Sequence, residues 1–203
     1  MIKACLFDLT CILVSPSKNR MVGEAISERN DPQDLAAISK TVGGSNPAEQ
    51  RERMQNRVRT FWEYDSRQMP DMILPGALDF IKDLYRHGIK LASTSTDCRA
   101  DSVLSSVGLY SMFSYIVDPE SVAERPDPEA LLKAANHLGL KPEECIAFEN
   151  SPEGLEAAKK AGMRCVAVGD LSELYKANMG VTDVKGLTLL KLKDGLETPA
   201  HQC

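Results

Sequence analysis

The chain has 203 residues, of which 43% are hydrophobic and only 5% aromatic, as in an α/β protein with a core of aliphatic side chains. Its formal net charge of -5 argues against nucleic acid or an anionic membrane as the main partner, because both select a basic surface. No apolar stretch approaches the roughly 18 residues of a membrane span, and no signal-peptide pattern begins the chain. Its six cysteines include no Cys-x-x-Cys pair, which is typical of reduced thiols in a cytoplasmic protein.

The first predicted element is a strand over residues 2–7, a nearly continuous apolar run typical of a strand buried on both faces of a parallel sheet. Asp8 follows that strand directly. Open α/β sheets bind ligands at the carboxyl ends of their strands, so this position favours a functional carboxylate. The alternative is an Asp that only caps the loop or helix after it.

A polar, helix-like segment over residues 15–72 comes next and contains no convincing strand. Its apolar spacing predicts helices near residues 18–28, 32–42 and 47–68. We therefore expect a small helical cap domain over residues 15–72, inserted into a core domain formed by residues 1–14 and 73–203.

Helices and strands alternate from residue 77 onwards. Helices are predicted over residues 77–87, 97–107, 127–138 and 152–161, and strands over 89–92, 113–117, 144–148 and 165–168. This order predicts a doubly wound parallel sheet. The tail after Gly180 is expected to add one edge strand and some surface chain, with residues 187–192 among its apolar positions.

Polar groups of complementary chemistry stand at or near several of these strand ends. They are Asp8, the hydroxyl run 93–96, Arg125, Glu149 and Asn150. Carboxylate and amide oxygens can hold Mg²⁺, while hydroxyls, backbone amides and a cation can hold phosphate oxygens. Serine-rich loops and Arg-Pro turns are usually structural when they occur singly, but their joint placement predicts a phosphoryl site.

The same stretches resemble the haloacid dehalogenase superfamily, and within it the β-phosphoglucomutase-like phosphatases and mutases. The resemblance rests on Leu6-Phe7-Asp8-Leu9-Thr10, Leu91-Ala92-Ser93-Thr94-Ser95, Glu124-Arg125-Pro126-Asp127-Pro128 and Ala147-Phe148-Glu149-Asn150-Ser151, followed by Gly154, Ala157, Ala158, Ala161 and Gly162. It implies a Rossmann-like core with a helical cap, Mg²⁺ as cofactor, and a small phosphorylated metabolite, such as a sugar phosphate, as substrate. A monomer or weak homodimer is expected.

The resemblance also implies roles for single residues. Asp8 would be the nucleophile that becomes an aspartyl phosphate. The implied catalytic residues are Asp8, Thr10 and Arg125; the implied phosphate-binding residues are Leu9, Ser93, Thr94 and Arg125; and the implied metal-binding residues are Asp8, Thr10, Glu149 and Asn150.

Four positions in the core motifs depart from the family pattern, and a fifth lies in the cap. Thr10-Cys11 replaces an Asp-Gly pair whose Asp protonates the leaving group, and general acid–base catalysis contributes about 10²–10⁴-fold, so a slow enzyme is expected. Arg125 replaces a Lys, and Asn150 replaces an Asp, which predicts weaker metal binding. In the cap, Asn46 stands where the mutases carry an Arg, which argues against mutase activity. The alternative hypothesis is a catalytically impaired relative that binds a phosphorylated ligand or a protein partner.

Overall fold

The structure, a computed structural model, describes residues 1–13, 73–95, 100–169 and 177–197. The chain divides into two compact units, Met1–Ser15 with Met72–Cys203, and Pro16–Asp71. The predicted cap helices and Asn46 lie outside the described residues, as does Asp97, where a core helix was expected to begin. These expectations stay predictions.

Six parallel strands form a single sheet within the described part of the chain. They are β1 (Ala4–Phe7), β2 (Lys90–Ser93), β3 (Phe113–Ile116), β4 (Cys145–Glu149), β5 (Arg164–Val168) and β6 (Met179–Val181), in the spatial order β3-β2-β1-β4-β5-β6. The strand order changes direction at β1, between β2 and β4, which is the position where open α/β sheets bind ligands. The predicted parallel α/β architecture is confirmed.

The described helices are α1 (Leu9–Ile12), α2 (Ala77–Arg86), α3 (Ala100–Ser106), α4 (Glu129–His137), α5 (Pro152–Lys160) and α6 (Leu189–Glu197). α4 begins two residues later than predicted, because Asp127 Oδ1 accepts a hydrogen bond of 2.9 Å from the backbone N–H of Glu129 and so forms a turn ahead of the helix. α5 begins as predicted, with Ser151 as its N-cap and Pro152 in its first turn. None of the helices in the four described ranges is long and apolar enough to cross a membrane.

The prediction for the tail is partly wrong. β6 is the expected edge strand, but residues 189–197 form α6 where surface chain was expected. Leu189 and Leu192 are buried on one face of this helix. Asp83 Oδ2, on α2, accepts a hydrogen bond of 2.8 Å from the Leu189 N–H. This cap comes from a residue far away in the chain, so the local sequence does not reveal where α6 begins.

Aromatic packing fixes the ends of the central strands. The ring centroid of Phe7, the last residue of β1, lies 4.7 Å from that of Phe148 on β4, and Phe80 on α2 packs edge-on against Phe148 at 5.6 Å. All three side chains are buried. Burying each one stabilises the fold by about 1.5–3 kcal/mol. Asp8 and Glu149, which follow Phe7 and Phe148, are therefore held on a rigid part of the sheet.

Candidate active site

Asp8 follows β1 and serves as the N-cap of α1. Its Oδ1 accepts hydrogen bonds from the Thr10 N–H at 3.1 Å, the Thr10 Oγ1 at 2.9 Å and the Ser95 Oγ at 3.1 Å. The capping role considered as an alternative is thus present. The three hydrogen bonds use only Oδ1, so Oδ2 faces a different neighbour.

That neighbour is Arg125, whose guanidinium joins the ends of three strands. Its Nη1 lies 3.5 Å from Asp8 Oδ2, while Nη2 donates to Glu149 Oε1 at 2.9 Å and to the backbone carbonyl of Thr94 at 3.2 Å. Burial opposes the positive charge, but Glu149 and Asp8 together outweigh that effect and raise the pKa of Arg125. The guanidinium therefore remains charged between the two carboxyl groups.

Glu149 is the last residue of β4, and its side chain is fully buried. Its Oε2 finds no hydrogen-bond partner among the described residues. Burial raises the pKa of Glu149 to about 8, against the opposing effect of Arg125. Gly154, in the first turn of α5, leaves room for this carboxylate, since a Cβ there would overlap Oε2 and lie 2.8 Å from Cδ.

The residues expected to bind phosphate lie around Asp8. Ser93 pairs with Phe7 at the end of β2, and its Oγ accepts a hydrogen bond of 3.4 Å from the Ser95 N–H. The Leu9 N–H donates to Ser95 Oγ at 2.7 Å. Thr94 contacts Arg125 through its carbonyl, and its Oγ1 is buried without a hydrogen-bond partner in the described ranges. The structure brings these residues together, while their phosphate-binding roles stay predictions.

The oxygen donors at this edge of the sheet fit Mg²⁺ in type. Asp8 and Glu149 offer carboxylates, Glu149 Oε2 is a buried acceptor that lacks a donor among the described residues, and Asn150, partly buried, follows β4 directly. Hard oxygen ligands of this kind suit Mg²⁺. Two of the three are carboxyl groups and the third is an amide, and within the described residues no cluster of three or more His, Cys, Asp and Glu could hold a metal. These oxygens are therefore of the type that binds Mg²⁺, but they bring little negative charge to it.

Ser95 is the contact that the sequence-based predictions missed. It lies in the hydroxyl run after β2, but the run alone does not tell which hydroxyl reaches Asp8. The available signal is spacing: Ser95 stands two residues after Ser93, and alternate residues of an extended chain point to the same side. Its hydroxyl touches both Asp8 and Leu9.

Cys11 lies next to the site and is not available as a nucleophile. Its Sγ donates to the Asp8 carbonyl oxygen at 2.8 Å. Burial first, and then the charge of Asp8, raise the pKa of the Cys11 thiol well above its usual value. The thiolate is the reactive form of cysteine, so this thiol stays inert.

Comparisons with known proteins identify the family of the chain. The family model described as haloacid dehalogenase-like hydrolase matches residues 32–168. A β-phosphoglucomutase of Bacillus subtilis (strain 168) is 32% identical over an alignment that covers 96% of each chain. A validoxylamine A 7'-phosphate phosphatase of Streptomyces hygroscopicus subsp. limoneus is 28% identical over an alignment that covers 91% of this chain and 95% of the relative.

A solved structure adds to this at the level of the fold. A β-phosphoglucomutase from Clostridium difficile matches with a TM-score of 0.79 at 24% identity, covering 97% of both chains. The chain therefore belongs to the haloacid dehalogenase-like hydrolases and is a phosphatase or phosphomutase-like enzyme of that family.

Proposed function

We propose that the chain is a slow, Mg²⁺-assisted phosphohydrolase or phosphotransferase that acts on a small phosphorylated metabolite through an aspartyl phosphate on Asp8. The observation that carries this proposal is the environment of Asp8, whose Oδ1 is held by three hydrogen bonds while Oδ2 faces the Arg125 guanidinium. A carboxylate oxygen carries no proton that must be removed before it attacks phosphorus, so such a nucleophile needs no base to activate it.

The geometry favours Oδ2 of Asp8 as the attacking oxygen. Oδ1 already accepts three hydrogen bonds, which draw electron density from it and hold it in place. In the first half-reaction Oδ2 bonds to phosphorus, the bond from phosphorus to the leaving oxygen breaks, and that oxygen takes a proton. In the second, a water oxygen attacks phosphorus and releases a proton, and Asp8 departs as a carboxylate. A substrate hydroxyl in place of water gives phosphoryl transfer.

Charge neutralisation is the main task of a phosphoryl-transfer site. Arg125 places positive charge beside Oδ2, where a phosphate dianion would meet the Asp8 anion. Glu149 anchors that guanidinium from the buried side. Asp8, Thr10, Glu149 and Asn150 would hold Mg²⁺, which when bound supplies further positive charge to the transferring group.

Thr10 limits the choice of substrate. Its hydroxyl donates to Asp8 Oδ1 at 2.9 Å and has no proton that it can release near neutral pH. Without a general acid, the leaving oxygen must be stable as an anion or take its proton from solvent. We therefore infer faster turnover of acyl phosphates than of alkyl phosphates such as sugar phosphates.

A phosphatase assay with two variants tests the proposal. Acetyl phosphate and a panel of sugar phosphates are offered to the native chain, to Asp8→Asn, and to Asp79→Asn as a matched control. Asp79 lies in the first turn of α2, is exposed, and carries the same chemical change away from the site. We expect that only Asp8→Asn loses turnover. We also expect that radioactive acetyl phosphate labels the native chain. Equal activity in all three proteins would reject Asp8 as the nucleophile.

A second function is favoured by the hydrogen bonds on Asp8. Thr10 and Ser95 hold its Oδ1 without offering a titratable proton, an arrangement that suits binding of a phosphorylated ligand or protein partner without turnover. The same assay separates the two functions. Phosphate that binds to the native chain while no substrate is turned over would favour the binding protein.

A further inference from the structure

We propose that this site passes a phosphoryl group from an acyl phosphate to a second carboxylate more readily than to water or an alcohol of equal concentration. The transfer runs through the aspartyl phosphate on Asp8, so it rests on the function proposed above and adds the chemical class of the acceptor. An acyl phosphate is a mixed anhydride of a carboxylic acid and phosphoric acid, and so is an aspartyl phosphate. Donor, intermediate and product therefore share one type of bond, and transfer between them costs little free energy in either direction.

The donors around Asp8 make its carboxylate a good leaving group. Its Oδ1 accepts hydrogen bonds from the Thr10 N–H at 3.1 Å, the Thr10 Oγ1 at 2.9 Å and the Ser95 Oγ at 3.1 Å. Its Oδ2 lies 3.5 Å from Nη1 of Arg125. Donors and a cation stabilise the carboxylate that departs when the aspartyl phosphate reacts. A weak nucleophile is therefore sufficient to take the phosphoryl group from Asp8, and a carboxylate is such a nucleophile.

The hydroxyl groups beside Asp8 favour an acceptor that has no proton to lose. Water or an alcohol releases a proton when its oxygen attacks phosphorus, whereas a carboxylate oxygen carries none. The hydroxyls of Thr10 and Ser95 each donate their only proton to Oδ1. Serine and threonine hydroxyls are not among the side chains that act as general bases near neutral pH. A carboxylate acceptor avoids this proton transfer altogether.

Glu149 is the other carboxyl group beside Arg125, and it is not placed to act as a base. Its Oε1 accepts a hydrogen bond of 2.9 Å from Nη2 of Arg125, and its side chain is 0% exposed. Its Oε2 packs so closely against Gly154 that a Cβ there would overlap it. A general base must come within about 2.6–3.2 Å of the group whose proton it takes. A fully buried carboxyl group that packs against α5 does not reach an acceptor arriving from solvent.

Both half-reactions of the proposed transfer run without moving a proton. In the first, Asp8 Oδ2 bonds to phosphorus, the bond from phosphorus to the acyl oxygen breaks, and the acyl group leaves as a carboxylate. In the second, an oxygen of the acceptor carboxylate bonds to phosphorus, the bond from phosphorus to Oδ2 breaks, and Asp8 departs as a carboxylate. The second half-reaction is the first in reverse, so the acceptor uses the place that the leaving carboxylate has vacated. No separate acceptor site is required.

A competition between two acceptors tests the proposal. The native chain, in buffer with Mg²⁺, receives acetyl phosphate that carries radioactive phosphorus, together with propionate and methanol at equal concentrations. Propionyl phosphate, methyl phosphate and inorganic phosphate are separated by chromatography and counted, with reactions lacking protein and reactions of Asp8→Asn as background. Propionyl phosphate should form at least about tenfold faster than methyl phosphate, because only the alcohol needs the acid–base catalysis that is worth about 10²–10⁴-fold.

Two variants at one position test the physical reason for this preference. Thr10→Asp supplies a carboxyl group that can take the proton of methanol, so the ratio of propionyl phosphate to methyl phosphate should fall at least about tenfold. Thr10→Asn has nearly the same shape without a titratable group, and it should keep the native ratio. If Thr10→Asp fails to fold, as circular dichroism would show, the product ratio of the native chain still decides the proposal.

Two results would overturn the proposal: methyl phosphate that forms as fast as propionyl phosphate, or a product ratio that a folded Thr10→Asp leaves unchanged. A native chain that takes radioactive phosphorus onto Asp8 but forms only inorganic phosphate would also reject carboxylate transfer, while the proposed function stands. A native chain that takes up no label and turns over no faster than Asp8→Asn would reject the proposed function together with the transfer. The two failures are therefore distinguishable.

Discussion

Ser95 Oγ donates a hydrogen bond of 3.1 Å to Oδ1 of Asp8, across the boundary between β1 and β2. The same oxygen accepts a hydrogen bond of 2.7 Å from the N–H of Leu9. The resemblance to phosphatases implies that Leu9 binds phosphate, but in the structure its N–H is held by the chain's own hydroxyl. A phosphate oxygen that binds to Leu9 N–H must first displace Ser95.

Replacing Ser95 should therefore separate binding from catalysis. In Ser95→Ala the Leu9 N–H loses its protein partner and becomes open to a phosphate oxygen, so inhibition by inorganic phosphate should become several-fold stronger. Asp8 Oδ1 loses one of its three donors, so kcat should fall by about tenfold, the value of one hydrogen bond to a charged group. Steady-state kinetics with phosphate as inhibitor measure both effects.

Ser121→Ala is the control for that variant, because the Ser121 hydroxyl donates to the Asp118 carbonyl on an exposed turn. It should leave both constants unchanged. A Ser95→Ala variant that behaves in the same way would show that the Ser95 hydroxyl affects neither Leu9 nor Asp8.

Gly154→Ala should destabilise the protein, although alanine is the better helix former. Gly154 lies inside α5, where an exposed Gly→Ala change would stabilise by about 0.5–1 kcal/mol. Here the new Cβ would overlap Glu149 Oε2, and inserting a methyl group into a packed site costs about 1–3 kcal/mol. Urea denaturation of the native chain and of Gly154→Ala measures whether the free energy of unfolding falls or rises.

The neighbouring Glu153→Ala is the control for the crowding effect, since Glu153 is exposed in the same turn of α5. Its free energy of unfolding should stay within about 0.5 kcal/mol of the native value. A gain in stability on Gly154→Ala would mean that the Glu149 side chain moves away at little cost.

The sequence allowed much of the sheet and part of the site to be predicted, because both depend on local patterns. Apolar runs that end in Asp8, Ser93 or Glu149 predict buried strands with polar groups at one edge. The contact between Arg125 and Glu149 joins residues 24 positions apart, and no periodicity encodes its geometry. The helix at the end of the chain was missed for the same reason, since its cap comes from Asp83.

The buried Glu149 carboxyl should make stability depend on pH. Its pKa is raised from 4.5 to about 8 in the folded state, so between these values the folded chain keeps a proton that the unfolded chain has released. The contribution of Glu149 to the free energy of unfolding therefore has its full value below pH 4.5 and is lost as the pH rises towards about 8. Relative to Glu149→Gln, the native chain should lose a few kcal/mol across this range, as measured by urea denaturation in a chelator.

Glu144→Gln gives a control of opposite sign. The pKa of Glu144 is lowered, mainly by the hydrogen bond from Lys3. The stability that Glu144 contributes is therefore lost as the pH falls. A native chain whose stability follows that of Glu149→Gln at every pH would show that Glu149 is ionised throughout this range.

Thr10→Asp should restore the missing acid. The Thr10 Oγ1 lies 2.9 Å from Asp8 Oδ1, so a carboxyl at this position would stand close to a phosphoryl group on Asp8 and could protonate a leaving alcohol. General acid–base catalysis is worth about 10²–10⁴-fold, and we expect a gain of at least about tenfold in kcat for sugar phosphates, because the added charge beside Asp8 offsets part of it. Acetyl phosphate, whose leaving group needs no acid, should gain much less. Thr10→Asn has nearly the same shape as Thr10→Asp but no titratable proton, and it should show no gain. If neither variant changes turnover, the absence of a general acid is not what limits this enzyme, and the backbone around Cys11 or the charge at Asn150 becomes the next target.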